Sequence, residues 1–385
     1  MMDDTILNIT LKKSLSALQA PAQVPVHAPV DATLLFKGPE QMPFLAPRGV
    51  FIVDNHLFVS DTGRNRVFIW KSLPTTPNSE PDVVLGQDDS SATQRNAGGQ
   101  AGASSLQYPS GIWSDGTRLI VADAWNHRVL IWHTMPTEHG QPADVVLGQP
   151  DFDHNEPNAK GVGAKPGPNT LYWPYGVFSD GKSLWIADTG NRRILFFEKI
   201  PLENGAPADA VIGKPDFYTR DYENEDPIWP YSVKISAEGS MVVADTQYYR
   251  VLFWRNWRDA FTQKAETVIG QPDLDSNGMN QFGLAPAAHT LSWCYDACFY
   301  QKGLLVADAG NSRVLGFSEM PQQCSPTADG LIGKPDFNTG SENAETVFGT
   351  DQNLYWPFSM CPQGNLLAVA DTGNHRIIFY DLSSW

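Results

Sequence analysis

Histidines and clustered carboxylates are the residues of this sequence whose types could do chemistry, and the first question is whether their spacing suits a metal. A zinc site needs three or four histidine, cysteine or carboxylate ligands converging on one point. Of the eight histidines, only His154 and His289 fall in the long loops between the segments described below. For calcium, Asp273-Leu274-Asp275-Ser276-Asn277-Gly278 follows the opening of a twelve-residue loop in which Asp273, Asp275 and Asn277 would donate oxygen. The twelfth position of that loop is Leu284, where a bidentate glutamate is required, and no flanking helices are expected. Asx turns are therefore the expected role of these aspartates and of the partial copy Asp151-Phe152-Asp153-His154-Asn155. No cofactor is expected, with zinc or calcium at these positions as the alternative. Nucleophile-elbow, phosphate-loop and dinucleotide motifs are absent from the sequence.

A stronger pattern is an aspartate followed five positions later by an arginine, which occurs six times between apolar β-forming residues. The pairs are Asp61 and Arg66, Asp123 and Arg128, Asp188 and Arg193, Asp245 and Arg250, Asp308 and Arg313, and Asp371 and Arg376. Its fullest form is Val369-Ala370-Asp371-Thr372-Gly373-Asn374-His375-Arg376-Ile377. This reads as a β-hairpin corner. The carboxylate is expected to accept N–H groups of the turn that follows, Gly and Asn to supply positive φ, and Arg to pair with Asp across the hairpin. Six equal copies cannot all be an active site, so the corner is structural, and the position held by His127 and His375 is expected to tolerate substitution.

The elements that carry these corners recur with them. In the third unit Tyr175–Phe178, Ser183–Ala187, Arg193–Phe197 and Ala210–Gly213 read as four strands separated by Gly, Pro and Asp turn signals. Corner aspartates lie 57 to 65 residues apart, the excess over shorter repeats falling in loops. The last unit lacks a fourth strand, and Leu34–Gly38 near the N-terminus has the matching pattern. It is expected to close a ring and remove the exposed sheet edge. Residues 1–31 read as an extended, Pro-containing leader without a packing role, and 32–385 as one repeat domain.

Composition sets limits on partners and setting. Lys and Arg number 27 against 43 Asp and Glu, a net charge of −16, which disfavours nucleic acid as a partner. Four cysteines form no disulfide framework, and Met1–Ala20 has no continuous apolar core, so a cytoplasmic protein without a membrane segment is expected.

Taken together, the corner and a preceding Pro-x-Gly-Val/Ile strand resemble the NHL-repeat family. That strand stands as Pro47-Arg48-Gly49-Val50, Pro109-Ser110-Gly111-Ile112 and Pro174-Tyr175-Gly176-Val177, with degraded copies at Pro230, Cys294 and Pro357. The resemblance spans roughly residues 32–385 and implies an all-β, six-bladed propeller of four-stranded antiparallel blades. It also implies a binding or scaffolding module for a protein, peptide or small ligand. The alternative it leaves open is a metal-dependent propeller enzyme, a lyase or hydrolase, because related propellers include a peptide-amidating lyase with zinc-binding histidines near the channel.

Aromatic residues mark the face where such binding is expected. In propellers the fourth-to-first and second-to-third connections emerge on one side, and here the former are long. Tyr108, Trp173, Trp229, Trp293 and Trp356 precede the first strands, while Tyr175, Tyr231, Tyr295 and Phe358 follow two residues later. Residues i and i+2 share a strand face, so the second set either stacks at the channel mouth or wedges between blades. Trp125 and Tyr248 replace small residues at two corners. The candidate ligand-binding set is Trp125, Trp173, Trp229, Tyr248, Tyr108, Trp293, Trp356 and Arg48.

Overall fold

The computed structural model describes residues 25–26, 30–220, 224 and 227–385. The leader expected over 1–31 lies almost wholly outside the described residues. Of the part described, Val26 donates its N–H to Asp329 O at 2.9 Å, and Val30 packs on a buried apolar cluster.

Six four-stranded antiparallel sheets form the molecule. Blade 1 runs β2 (Gly49–Val53), β3 (His56–Asp61), β4 (Arg66–Trp70), β5 (Val83–Leu85). Blade 2 is β6 (Pro109–Ser114), β7 (Leu119–Asp123), β8 (Arg128–Trp132), β9 (Val145–Leu147), and blade 3 is β10 (Pro174–Ser179), β11 (Leu184–Asp188), β12 (Arg193–Phe197), β13 (Ala210–Ile212). Blade 4 is β14 (Pro230–Ile235), β15 (Met241–Asp245), β16 (Arg250–Trp254), β17 (Thr267–Ile269), and blade 5 is β18 (Cys294–Tyr300), β19 (Gly303–Asp308), β20 (Arg313–Phe317), β21 (Gly330–Ile332). Blade 6 has β22 (Pro357–Gln363), β23 (Leu366–Asp371) and β24 (Arg376–Asp381), and its outer strand is β1 (Ala32–Phe36). β1 pairs antiparallel with β24, Phe36 opposite Ile377, so chain segments from both ends build one blade.

The first strands β2, β6, β10, β14, β18 and β22 each touch the next around a closed circle, which makes the protein a six-bladed β-propeller. The middle strands are apolar on both faces because each blade is covered on both sides. Between blades 2 and 3, for example, Trp113, Ile120 and Ile131 meet Val177, Ile186 and Leu195 in one buried cluster. Among the described residues, no helix is long and apolar enough to cross a membrane.

Three inner-strand glycines let neighbouring blades approach. A Cβ on Gly49, Gly111 or Gly176 would lie 2.1, 2.6 or 2.4 Å from a backbone oxygen of the next first strand. Blades 4 to 6 place Ser232, Asp296 and Ser359 at the same position, and these side chains hydrogen-bond across the gap instead.

The corners pair as expected but are built differently in detail. In all six, Asp Oδ2 accepts from Arg Nε at 2.7–2.8 Å, with both side chains buried. The Asp does not cap its own turn. Its Oδ1 accepts the N–H of Leu45, Gln107, Tyr172, Trp229, Ser292 or Tyr355, which enter the same blade, at 2.5–2.8 Å. Positive φ falls neither on Gly nor on the following Asn but on the next residue: Asn65, His127, Arg192, Tyr249, Ser312 and His375, at φ between 53 and 56°. The corner glycine serves close approach, since a Cβ on Gly190 would sit 2.4 Å from Tyr172 O. Burial pushes the carboxylates of Asp61, Asp123, Asp188, Asp308 and Asp371 up, Asp61 to about 6, against the pull of the paired guanidinium.

The remaining Arg N–H groups bind loop carbonyls. Arg193 Nη2 donates to Gly167 O and Thr170 O at 2.9 and 3.0 Å, and Nη1 to Phe217 O at 2.6 Å, tying together the loops that enter and leave its blade. Four long loops add an asparagine that pairs with a corner asparagine. Asn96 with Asn126, Asn158 with Asn191, Asn280 with Asn311 and Asn343 with Asn374 exchange amide hydrogen bonds of 2.7–3.2 Å.

Candidate binding site at the channel mouth

Each first strand begins at the loop-rich face, so the residues around its proline surround one mouth of the channel. The residue before that proline, or before Cys294 in blade 5, is left-handed in five blades: Ala46, Tyr108, Trp173, Trp293 and Trp356, at φ between 48 and 56°. A bulky side chain in that region is strained and persists only where its surroundings hold it. Here the holder is the left-handed corner residue of the preceding blade. Asn65 Oδ1 accepts from Tyr108 N at 3.0 Å, His127 Nδ1 from Trp173 N at 3.1 Å, and His375 Nδ1 from Ala46 N at 3.1 Å. His127 and His375 are thus interblade latches, each combining a positive φ with an acceptor, although Arg192 and Tyr249 hold the same position in blades 3 and 4. Burial pushes His127 down to about 4, so it is neutral at ordinary pH.

Trp356 N likewise donates to Ser312 Oγ at 3.4 Å; Trp173, Trp293 and Trp356 are 41–43% exposed, and Trp125 is 37% exposed, stacked on Tyr108 at 4.6 Å. Trp229 is partly buried beneath the Arg192 guanidinium, 3.9 Å from its ring centre, and Tyr248 lies 5.0 Å from the Arg250 guanidinium. The candidate aromatics therefore lie on one rim, three of the tryptophans that enter the first strands exposed and one sheltered.

Inside the rim, the second set stacks around the axis. Ring centres are 4.9 Å apart for Tyr175 and Tyr231, 4.9 Å for Tyr231 and Tyr295, and 4.0 Å for Tyr295 and Phe358. Arg48 closes the circuit, its guanidinium carbon 4.2 Å from the Phe358 ring centre and 4.8 Å from that of Tyr108. Burial raises the Tyr231 phenol, Tyr295 and Tyr175 add to the shift, and Arg48 opposes it. Burial pushes Tyr295 up to about 12, so these phenols are neutral donors.

This collar opens into a cavity of about 390 Å³ along the axis. Its wall carries Lys234 and Asp296, whose Nζ and Oδ1 are 4.0 Å apart. Asp296 also accepts from Ser232 Oγ at 2.5 Å and from Met360 N at 2.9 Å, linking blades 4, 5 and 6. Cys298 and Cys361 line the same wall, and burial pushes both thiols up, Cys361 to about 11, so neither is a thiolate at neutral pH. The sequence reading missed Ser232, Asp296 and Ser359. Their signal was the loss of glycine from the degraded Pro-x-Gly copies.

The metal candidates lie apart from the channel. Asp273 Oδ1 accepts the N–H groups of Asp275 and Ser276 at 3.0 and 2.8 Å, the geometry of an Asx turn. Asp151 Oδ1 makes the equivalent turn and accepts from His154 Nδ1 at 2.6 Å. Asn277 belongs to the same exposed loop as Asp273, and His289 offers its backbone oxygen to Gln281 Nε2 at 3.3 Å. Among the described residues, no three His, Cys, Asp or Glu side chains converge as a metal site.

No protein-family model matches the sequence, and no curated protein sequence does either. Among solved structures the chain is similar to hydrazine synthase of Kuenenia stuttgartiensis, at 14% identity and a TM-score of 0.47, over 89% of this chain and 97% of that one. It is similar to the periplasmic gluconolactonase of Pseudomonas aeruginosa at 12% identity and a TM-score of 0.44, over 78% and 73% of the two chains. The WD40 propeller domain of Doa1 aligns at 10% identity and a TM-score of 0.42, over 92% and 98%. Likenesses this distant say nothing about activity, and the class of the protein, a six-bladed β-propeller, rests on its own sheet topology.

Proposed function

We propose that this chain is an NHL-type propeller acting as a binding module, which captures a protein or peptide segment on its loop-rich face. The observation that carries the reading is the rim of Trp125, Trp173, Trp293 and Trp356, more than a third exposed and three of them held in a strained conformation. Large rigid rings set among polar loops give contact area at little ordering cost, and interfaces concentrate their energy in such anchors. A protein that spends backbone strain to keep indoles in water has a use for them there. The cysteines are free and three of the four are buried, in keeping with a reducing, cytoplasmic setting.

The test is a pull-down from the native source with the parent and with Trp125→Ala, Trp173→Ala and Trp293→Ala. Capture of a saturable partner should fall while melting temperature holds. Undiminished capture by all three variants would move the functional surface elsewhere. A fall in stability by about 3 kcal/mol with capture intact would make the tryptophans packing residues.

A further inference from the structure

Five of the six blades put an aromatic ring or a small residue at the second position of the first strand, and blade 1 puts Arg48 there. Its guanidinium carbon lies over the rings of Phe358 and Tyr108, 4.2 and 4.8 Å from their centres. Arg48 Nε is buried without a hydrogen-bond partner among the described residues. A buried guanidinium N–H left unpaired is costly, and its fork geometry suits a two-oxygen anion. Of the residues lining the cavity, Arg48 and Lys234 are the cations, and Lys234 faces Asp296. Arg48 is therefore the cation of the cavity lining without an ion pair among the described residues; the remaining carboxylate of the lining, Glu238, is exposed in the turn between β14 and β15, at the other end of the first strand.

Below it the wall is largely apolar, with Val50, Ile52, Ile112, Val177, Phe178 and Met360, and is interrupted by the Lys234–Asp296 pair. A ligand placing its head at Arg48 has its body against these side chains. One cation among neutral phenol donors balances one negative charge. A phosphate group carries roughly −1.5 to −2 and would stay under-compensated in a chain of net charge −16.

We propose that the channel binds a monocarboxylate with an apolar body, its carboxylate held by the Arg48 guanidinium and the hydroxyls of Tyr231 and Tyr295, its body in the cavity beneath. The site is separate from the tryptophan rim and takes a small molecule rather than a macromolecule.

Calorimetric titration of the full chain with octanoate, 1-octanol, acetate and inorganic phosphate at constant ionic strength tests it. Octanoate is expected to bind saturably and at least about tenfold more tightly than the other three, since charge-assisted bonds and apolar burial are both needed. Arg48→Gln should bring octanoate down to the level of octanol, and Arg48→Lys should recover part of the loss. Tyr231→Phe, which keeps the ring, should cost a smaller factor. Melting curves must show each variant folded. Octanol binding as tightly as octanoate, phosphate binding in preference, an unaffected Arg48→Gln variant, or a folded parent that ignores octanoate would each overturn the assignment. Any of these results leaves the rim reading standing, because rim variants are read out by partner capture.

Discussion

His127 Nδ1 accepts the backbone N–H of Trp173 at 3.1 Å, joining the corner of blade 2 to the first residue of blade 3 that faces the channel mouth. Both residues are left-handed, at φ of 53 and 48°. The bond holds a bulky residue in a conformation it would otherwise leave, and it works only while the imidazole is neutral.

That condition makes stability pH-dependent. The unfolded chain protonates His127 near pH 6.5 and the folded chain not until about 4, so the unfolded state binds the extra proton in between and stability falls as pH drops through that window. By pH 4.5 the cost is on the order of 2–3 kcal/mol. Asn65 makes the equivalent bond in blade 1 with a side chain that does not titrate. His127→Asn should therefore match the parent within about 1 kcal/mol at pH 7 and exceed it by about 2 kcal/mol at pH 4.5 in urea melts. An unchanged difference between the two proteins across that range would refute the latch.

Asp188 holds the N–H of Tyr172, the amide of Asn191 and the guanidinium of Arg193 at 2.7–2.8 Å, the last two bonds buried. Asp188→Ala strands a buried cation and should cost about 3–5 kcal/mol in chemical denaturation. A loss below 1 kcal/mol would mean that water takes over the carboxylate's bonds.

Gly176→Ala sets a methyl 2.4 Å from Tyr231 O, a backbone atom that cannot swing away, whereas Gly102→Ala meets nothing within 4 Å. Thermal melts should show about 2–4 kcal/mol of destabilisation for the first and close to none for the second. Equal effects would remove close approach as the reason for the inner-strand glycines.

β1 supplies the outer edge of blade 6, and Phe36 is fully buried, 5.1 Å from the Trp70 ring centre. Deleting residues 1–30 should cost little beyond the contacts of Val26 and Val30. Deleting 1–39 opens the ring and should lower stability by several kcal/mol or prevent folding. Identical melting temperatures for the two truncations would contradict closure by β1.

Strands, turns and unit count were legible in the sequence because they depend on near neighbours. Runs such as Arg193-Ile194-Leu195-Phe196-Phe197 between turn residues specify a strand wherever they fold, and six copies specify six blades. The Asp–Arg pairs were legible for the same reason, five residues being the span of one hairpin corner. The positions of the channel aromatics followed from the two-residue period of a strand. Which of them would face solvent did not.

Tertiary structure alone decided what depends on segments brought together from different blades. Gly176 is required because the first strand of the next blade passes over it, and Asp296 replaces glycine where a serine and an N–H from two other blades await a carboxylate. His127 and Asn65 became latches because pre-proline residues of the following blades lie within hydrogen-bond reach. Arg48, a candidate ligand-binding residue by sequence, gained its particular setting near two rings and without an ion pair among the described residues. Such roles are set by distances across the ring, and ring closure fixes those distances only when all six blades are in place.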